Sequence, residues 1–229
     1  MAILHRTNII KDMSKIIRNL LFLILTMAFA SCGEDATSNE PDLPQTPPAE
    51  EPTMINGHEY VDLGLSVKWA TTNVGASSPE NYGGYYAWGE TEEKDYYSEK
   101  TYKYKYGNSY IDIGDNICGS QYDVAHVKWG SSWRMPTYAE FEELERECRK
   151  EIAVINGVTG CKYTAKNNKS IFLPMGGWKM YTSVDDKGTD FCFWTGTKEG
   201  IRAYVQLYSY NKSLLGLRYL GLSVRPVSE

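Results

Sequence analysis

The stretch WGSSWRMPTYAEFEELERE, residues 129–147, places two tryptophans, an arginine and a proline directly before an acidic, amphipathic run. Thr137 and Glu140 have the spacing of a capping box, in which each side chain bonds a backbone amide of the other at a helix start. Apolar residues then recur every three or four positions, at Phe141, Leu144, Cys148 and Ile152. This spacing predicts a helix over residues 137–152 with one buried stripe.

The rest of this stretch is interpreted as scaffold and not as a reactive site. Pro136 ends the extended segment before the helix, and Trp133 is a large apolar anchor. Arg134 is expected to pair with a carboxylate or with backbone carbonyls. The predicted surface ion pairs of the helix, four residues apart, are Glu142 with Arg146 and Glu145 with Arg149.

Outside this stretch, apolar and polar residues alternate, which is typical of half-buried strands. Residues 63–70, LGLSVKWA, put four apolar side chains on one face. Residues 162–174 predict a hairpin that turns at Asn167-Asn168. Residues 202–210 and 219–227 predict two further strands, the last one ended by Pro226. A single helix among many short strands predicts an α+β fold.

The N-terminus has the pattern of an export signal. Basic residues precede an apolar run at residues 20–30, which is shorter than the roughly 20 residues that span a bilayer. A secretory signal peptide over residues 1–31 is predicted, starting at Met1 or Met13. The sequence before Cys32 resembles a lipoprotein lipobox, which implies a lipid anchor on Cys32 and an outer-membrane location; a plain cleaved signal is the alternative.

Residues 32–54 are acidic, rich in proline and poor in apolar side chains, so a disordered tether is predicted before a domain at residues 55–229. The acidic pair Glu34-Asp35 resembles the surface-export signal of Bacteroidetes lipoproteins, which implies exposure on the cell surface. Ordinary linker acidity explains it equally well. The net charge of -5 argues against nucleic acid as a partner.

Four blocks of the chain, in this order, resemble the Fibrobacter succinogenes major paralogous domain family. They are residues 61–91, 129–144, 170–177 and 221–227. The resemblance covers residues 55–229 and implies a C-type-lectin-like domain, related to the formylglycine-generating enzyme fold. It also implies that the N- and C-terminal strands lie close together, and it carries no common activity. The residues of the family pattern are Trp69, Trp88, Trp133, Arg134, Pro136 and Thr137.

The sequence offers little for catalysis. Two histidines follow the predicted signal peptide, His58 and His126. His126 with the nearby Asp123 is a conceivable base, but a structural histidine is the simpler interpretation. No G-x-S-x-G motif occurs, and 29 acidic residues offer too many carboxylate pairs to single one out for glycoside hydrolysis. We therefore expect no enzymatic activity.

Cofactors and metals are not expected either. Asp185, Asp186 and Asp190 could contribute to a calcium loop, but a solvated turn is the preferred reading, and the sugar-binding calcium motifs of C-type lectins do not occur. Four cysteines follow Cys32, namely Cys118, Cys148, Cys161 and Cys192. A Cys148–Cys161 disulfide and free buried thiols are both compatible with the sequence.

Tyrosines are the main candidates for ligand binding, because their rigid amphipathic rings are favoured in binding surfaces. Tyr102, Tyr104 and Tyr106 alternate with lysines, and Tyr204, Tyr208 and Tyr210 resemble the variable ligand positions of diversified lectin-fold proteins. A structural role for these tyrosines is the alternative. The expected function is non-covalent binding of a glycan or a surface protein. The alternatives are a structural component of the cell surface and a glycan-acting enzyme.

Overall fold

The computed structural model describes residues 53–207 and 212–229, with only the backbone described at residues 207 and 212–215. The chain divides into two compact units, Met1–Ala49 and Glu50–Glu229, and every described residue belongs to the second. The predicted signal peptide, Cys32 and residues 32–52 of the predicted tether lie outside the described residues. In the part that is described, no helix is both long and apolar enough to cross a membrane.

The described residues form a strand-rich α+β unit, as the sequence predicts. Its strands are β1 (Met54–Ile55), β2 (His58–Val61), β3 (Lys68–Ala70), β4 (Lys105–Tyr106), β5 (Ser109–Tyr110), β6 (Arg149–Ile155), β7 (Val158–Thr164), β8 (Ser170–Pro174), β9 (Trp178–Met180), β10 (Ser183–Asp185), β11 (Cys192–Glu199), β12 (Arg202–Leu207), β13 (Lys212–Gly216) and β14 (Val227–Ser228). Its helices are a 3-10 helix (Glu99–Thr101), α1 (Val124–Trp129) and α2 (Tyr138–Glu147).

The two ends of the unit meet in one antiparallel sheet of order β1-β2-β3-β14, in which Val227 pairs with Trp69. The last strand thus shares a sheet with the first three strands, although β1 and β14 lie at its opposite edges. Strand β1 begins at Met54, close to the start of the described residues. Two three-stranded antiparallel sheets, β6-β7-β8 and β11-β12-β13, and the hairpins β4–β5 and β9–β10 complete the architecture.

The predicted turn at Asn167-Asn168 is confirmed, since it joins β7 to β8 and Asn168 has a φ of 65°. The alternating burial in residues 63–70 is confirmed too, but only the last three of them form a strand. The prediction that Pro226 ends the final strand is wrong. The residues before Pro226 make isolated bridges at Leu222 and Ser223, and β14 begins after the proline.

The predicted helix over residues 137–152 is too long at its C-terminal end. Helix α2 stops at Glu147, Cys148 is extended, and Ile152 is half exposed in β6, opposite Cys161. The cause lies downstream, at Asn156-Gly157, where both residues have a positive φ and form the two-residue turn of the β6–β7 hairpin. Residues 149–152, which the apolar spacing assigned to the helix, therefore belong to strand β6 of this hairpin.

The shorter helix also changes the ion pairs. Arg146 pairs with the adjacent Glu147, and Arg149 pairs with Glu151 along β6, so the predicted i, i+4 pairs do not form. Glu145 turns inward and accepts hydrogen bonds from Lys150, Tyr163 and Gln206. Glu142 accepts a hydrogen bond from the Tyr138 hydroxyl. The acidic face of α2 is thus partly structural.

Two apolar clusters form the core, one around Trp88, Trp133 and Trp194, the other around Trp69 and Phe141. A third, smaller cluster consists largely of tyrosines, with Tyr97 and Tyr102 fully buried and Tyr110 and Tyr219 packed against them. Tyr219 of this third cluster also lines an open groove on the surface.

Candidate functional site

An open groove of about 530 Å³ lies over the tyrosine cluster. Its lining combines aromatic, charged and hydroxyl side chains and is called the tyrosine groove here. The lining residues are Tyr96, Ser98, Glu99, Lys100, Thr101, Tyr181 and Tyr219. Concave surfaces that pair aromatic faces with a few polar groups are typical of small-molecule sites.

The 3-10 helix forms one wall of the tyrosine groove and is rigidly capped. Ser98 Oγ accepts from the Thr101 amide at 3.3 Å, and Thr101 Oγ1 accepts from the Ser98 amide at 3.1 Å. Thr101 Oγ1 also donates to the Tyr96 carbonyl. Because these hydroxyls are used in the capping box, the charged groups at the groove are those of Lys100 and of Glu99, whose Oε1 pairs with Lys105 Nζ at 3.0 Å.

Tyr181 and Tyr96 present their rings at the groove. Both are about half exposed, and their ring centroids lie 5.4 Å apart. Tyr181 has a φ of 55°, a conformation that side-chain-bearing residues adopt at a cost and that clusters at functional sites. Two backbone hydrogen bonds with Tyr97, of 2.7 and 2.9 Å, hold it there. The surrounding structure thus fixes an exposed ring in an unfavourable backbone conformation.

The tyrosines beneath the groove are held in place by Arg218. Its Nε donates to the Tyr102 hydroxyl at 3.2 Å, and its guanidinium lies 4.8 Å from the Tyr110 ring centre. Burial raises the pKa of Tyr97 to about 12. Burial also raises the pKa of Tyr219, and the Glu99 carboxylate adds to that shift. Both phenols therefore remain neutral and can donate hydrogen bonds.

Two other cavities are weaker candidates. A cavity of about 520 Å³ is lined by Ser131, Ser132 and Arg134 among others, but the Arg134 guanidinium is already paired with Glu140 and Glu229. A cavity of about 200 Å³ beside Ile155 and Phe172 is smaller and has one charged side chain, Lys162. Neither has an exposed aromatic face.

The predicted surface of Tyr102, Tyr104 and Tyr106 is not a common face. Tyr102 is 3% exposed and its hydroxyl donates to the Trp88 carbonyl, so it cannot contact a ligand. Tyr104 is partly buried between Tyr102 and Tyr122. Tyr106 is 84% exposed. The alternation fails because β4 is only two residues long, and the residues before it do not alternate as a strand does.

The second set of predicted tyrosines is described only in part. Tyr204 is partly buried, stacks on Tyr138 with ring centres 4.3 Å apart, and donates its hydroxyl to Glu199. These contacts occupy the ring in an intramolecular pair. Tyr208 and Tyr210 lie outside the described residues, as does the predicted lipidation site Cys32.

The residues of the family pattern are structural in every case. Trp69, Trp88 and Trp133 are fully buried, and Trp133 Nε1 donates to the Ile55 carbonyl. The remaining three occupy the entry to α2, as predicted. Arg134 pairs with carboxylates, Pro136 accepts a hydrogen bond from the Gly196 amide, and Thr137 caps α2 in a capping box with Glu140.

Asp123 and His126 do not form a catalytic pair. Asp123 is fully buried and accepts four backbone N–H bonds, from Gly119, Ala125, His126 and Met135. It is the N-cap of α1, a helix that the sequence analysis missed. Burial raises the pKa of Asp123, and the four amide donors act against that shift. Its carboxylate is thus fully engaged in holding the backbone.

Metal and thiol chemistry find no support either. Among the residues described, no three histidine, cysteine or acidic side chains are placed to hold a metal ion. Asp186, one of the candidate calcium ligands, accepts a hydrogen bond from Trp178 Nε1 at 3.1 Å. Cys118, Cys148, Cys161 and Cys192 are all free thiols, so the Cys148–Cys161 disulfide is not formed.

Comparison of the chain with protein-family models, with curated proteins and with solved structures gives no match. The site is accordingly defined by its own geometry.

The tyrosines that line the groove, Tyr96, Tyr181 and Tyr219, were not predicted from the sequence. Tyr96 lies shortly before Tyr102 in the chain, but the alternation with lysine favoured Tyr102, Tyr104 and Tyr106. Tyr181 and Tyr219 are distant in the chain and reach the groove through the Tyr97–Tyr181 bridge and the β9 contact of Gly221. Such long-range pairings leave no local signal in one sequence.

Proposed function

We propose that this chain binds carbohydrate non-covalently in the tyrosine groove. One observation carries the proposal. Of the described tyrosines, Tyr96, Tyr106 and Tyr181 are the exposed ones, and two of them, Tyr96 and Tyr181, line the groove with their ring centroids 5.4 Å apart. Exposed aromatic side chains gathered at one place mark interaction sites, whereas scattered ones need no explanation.

The chemistry of the groove favours a sugar over a protein surface. A sugar ring has an apolar face that packs on tyrosine and hydroxyls at its rim that both donate and accept. The rings of Tyr96 and Tyr181 supply the packing surface, Glu99 accepts hydrogen bonds, and Lys100 donates them. A protein partner would require a broader surface, since stable interfaces cover about 800 Å² on each partner.

The test is binding of the full-length chain, purified in detergent, to an array of oligosaccharides. Tyr181→Asn removes the ring while asparagine tolerates the positive φ, and Tyr96→Ala removes its neighbour. We expect each variant to lose about tenfold or more in affinity, because aromatic residues at the centre of a site carry most of its binding energy. Val154→Ala, an exposed apolar residue of β6, is the matched control and should bind as the unmodified chain does.

Two results would contradict the proposal. Unchanged sugar binding in both tyrosine variants would show that sugar binds outside the tyrosine groove. The unmodified chain could instead bind no sugar but capture a protein that neither variant binds. That result would show that the ligand is a protein and not a carbohydrate.

The cellular context proposed for this binding is a lipid-anchored lipoprotein on the outer surface of the cell, with a C-type-lectin-like domain of the Fibrobacter succinogenes major paralogous type. Supporting it are the lipobox-like sequence before Cys32 and the pairing of the last strand, β14, with β3 near the start of the described unit. Metabolic labelling with a fatty acid, followed by protease treatment of intact cells, tests both parts. Labelling that persists in Cys32→Ala would refute the anchor, and complete protection from protease would refute surface exposure.

A further inference from the structure

Strand β6 forms one edge of the β6-β7-β8 sheet and carries two exposed apolar side chains. They are Ile152 and Val154, which project from the same face of the strand and are 49% and 64% exposed. Edge strands are usually protected from pairing by proline, by a bulge or by charged side chains. Residues 152–155 include neither proline nor a charged residue, and the register of β6 with β7 is regular over all seven residues. This part of the edge is therefore unprotected.

The backbone of the same two residues points away from β7. The two-residue turn at Asn156-Gly157 makes Ile155 and Val158 the closing pair of the hairpin, which is a hydrogen-bonded pair. Hydrogen-bonded and non-bonded pairs alternate along an antiparallel ladder, so Val154 and Ile152 form non-bonded pairs with β7. Their N–H and C=O groups therefore face outward. Within the described part of the chain, no hydrogen bond reaches these outward groups.

A strand that pairs with this edge must itself offer unpaired backbone groups and apolar side chains. Strand β6 of a second copy offers both. In an antiparallel pair of β6 strands centred on Ala153, Ile152 of each copy lies opposite Val154 of the other. Each of these two contacts joins outward backbone groups in both directions. Each also joins two β-branched side chains, which stabilise cross-strand pairs.

The charged residues at the start of β6 favour this register over its neighbours. Sliding one copy by two residues toward the charged start would place Val154 opposite Lys150 of the second copy. Sliding it by four would place Glu151 opposite Glu151 of the second copy, and like charges in this position destabilise a strand pair. In the register centred on Ala153, Glu151 instead lies opposite Ile155 of the second copy. The edge is thus self-complementary in one register.

We propose that two copies of this chain associate through their β6 edges into a dimer with two-fold symmetry. The three strands of each copy then form one continuous antiparallel sheet across the interface. The same surface patch is used on both copies, as a two-fold interface requires. The dimer is weak and depends on concentration, because the shared edge is small compared with the roughly 800 Å² per partner of stable interfaces. Its formation does not depend on the proposed sugar ligand, since no residue of β6 lines the tyrosine groove.

Sedimentation equilibrium of the full-length chain in density-matched detergent, over a series of protein concentrations, measures the association. We expect a monomer–dimer equilibrium whose dissociation constant rises about tenfold or more in Val154→Lys, because the ammonium would face Ile152 of the second copy. Val154→Thr keeps the β-branch and should weaken the dimer much less. Ile201→Lys is the matched control, because Ile201 is 63% exposed and lies outside β6. It should associate as the unmodified chain does.

A cysteine at the centre of the contact tests the register. Non-bonded antiparallel pairs have Cα atoms about 4.5 Å apart, which is within the range that a disulfide bridges. Under mild oxidation we expect Ala153→Cys to form a disulfide-linked dimer, detected on a non-reducing gel. Ala139→Cys, at an exposed position of α2, should remain mainly monomeric. Circular dichroism checks that each variant has the fold of the unmodified chain.

Three results would overturn the proposal. A chain that stays monomeric into the millimolar range would leave the β6 edge to a strand of a different protein. A dimer that is unaffected by Val154→Lys would have its contact elsewhere on the chain. Equal cross-linking of Ala153→Cys and Ala139→Cys would show random collision and not a defined register. If Val154→Lys fails to fold, the two cysteine variants decide the question by themselves.

Discussion

Arg134 is the residue on which the entry to α2 depends. Its guanidinium makes a two-bond contact with Glu140, at 2.9 and 2.7 Å, and a further contact with Glu229 at 2.8 Å. Its backbone exchanges two hydrogen bonds with Val227, the first residue of β14. Side chain and backbone thus join the helix start to the chain end, which is a structural role and not a binding one.

Replacing Arg134 should therefore destabilise the fold and spare the ligand site. For Arg134→Ala we expect the free energy of unfolding to fall by about 2–4 kcal/mol, because Glu140 loses its partner in a largely buried place. Arg134→Lys should recover only part of this loss, since an ammonium cannot form the two-bond contact. Urea denaturation followed by circular dichroism measures both. Loss of sugar binding in an Arg134→Ala chain that remains folded would assign Arg134 to the ligand site instead.

Glu140 makes the same contact sensitive to acid. Burial raises the pKa of Glu140, but the hydrogen bonds from Arg134 and from the Thr137 amide outweigh burial, so the pKa lies below its usual 4.5. A lowered folded-state pKa stabilises the fold above the unfolded-state value, and this stabilisation is lost as the pH falls through the folded-state value.

We expect Glu140→Gln to lower the free energy of unfolding at neutral pH and to flatten its decline in acid. The two chains should thus become similar in stability at low pH. Urea denaturation at a series of pH values between about 7 and about 3 measures the difference. Parallel curves for the two chains across this range would show that the Glu140 carboxylate does not contribute as described.

Arg225, in the closing block GLSVRPV, has a structural role. It is completely buried and donates to four oxygens of neutral groups, the Asn73 side chain and the carbonyls of Ala70, Thr71 and Phe172. Burial lowers its pKa to about 9. The sequence identified the closing block GLSVRPV as a feature of the fold. It could not reveal that the arginine holds the carbonyls of two separate chain segments, because that requires the folded arrangement.

At the scale of elements, Asp123 joins three pieces of chain. Its Oδ1 caps α1 through the amides of Ala125 and His126, and its Oδ2 accepts from Gly119 and Met135. The two oxygens therefore have separate tasks, one within the helix and one between the helix and its neighbouring segments. Helix α1 has only six residues, so its stability depends on such tertiary contacts.

We expect Asp123→Asn to lower the free energy of unfolding by about 3 kcal/mol, because an amide nitrogen would face two buried N–H donors that need an acceptor. Asp123→Ser keeps a cap for the helix but loses the bonds to Gly119 and Met135, and it should also be clearly destabilised. Chemical denaturation of both variants provides the measurement. Near-normal stability of Asp123→Ser would mean that only the helix cap matters.

The length of α2 shows where element prediction from sequence succeeds and where it stops. The Thr137–Glu140 capping box fixed the start, because both halves of the signal are local. The end was misplaced because two local signals competed: the apolar spacing continues to Ile152, whereas Asn156-Gly157 favours a hairpin. The hairpin prevails because β6 pairs with β7 over seven residues, which secures more backbone bonds than one more helical turn.

At the scale of the whole molecule, the class of fold could be predicted from the sequence, whereas the candidate site could not. Alternating burial and turn residues are local, so the strand-rich α+β unit could be predicted. The tyrosine groove unites residues from three distant parts of the chain, Tyr96, Tyr181 and Tyr219. Their positions depend on the pairing of β9 with the segment at Gly221 and of Tyr181 with Tyr97. No periodicity in a single sequence encodes these pairings.

The four thiols test whether the unit behaves as one cooperative body. Cys148, Cys161 and Cys192 are buried, and Cys118 is partly buried. Burial raises the pKa of Cys118 to about 12 and that of Cys161 to about 11, and it also raises those of Cys148 and Cys192. Since the thiolate is the reactive form, none of the four should react with an alkylating reagent while the chain is folded.

We expect iodoacetamide, with peptide mapping by mass spectrometry, to modify all four cysteines together at the urea concentration that unfolds the chain. The midpoint should be the same with and without a reducing agent, because the four cysteines of the described residues are free thiols. A Cys148–Cys161 cross-linked peptide, or a midpoint that falls on reduction, would contradict the free-thiol arrangement. The Cys118 thiol packs against Gly196 of β11, in the space that a Cβ at position 196 would occupy. Modification of Cys118 alone at low urea would therefore show that the loop before α1 opens separately from the two tryptophan-centred clusters.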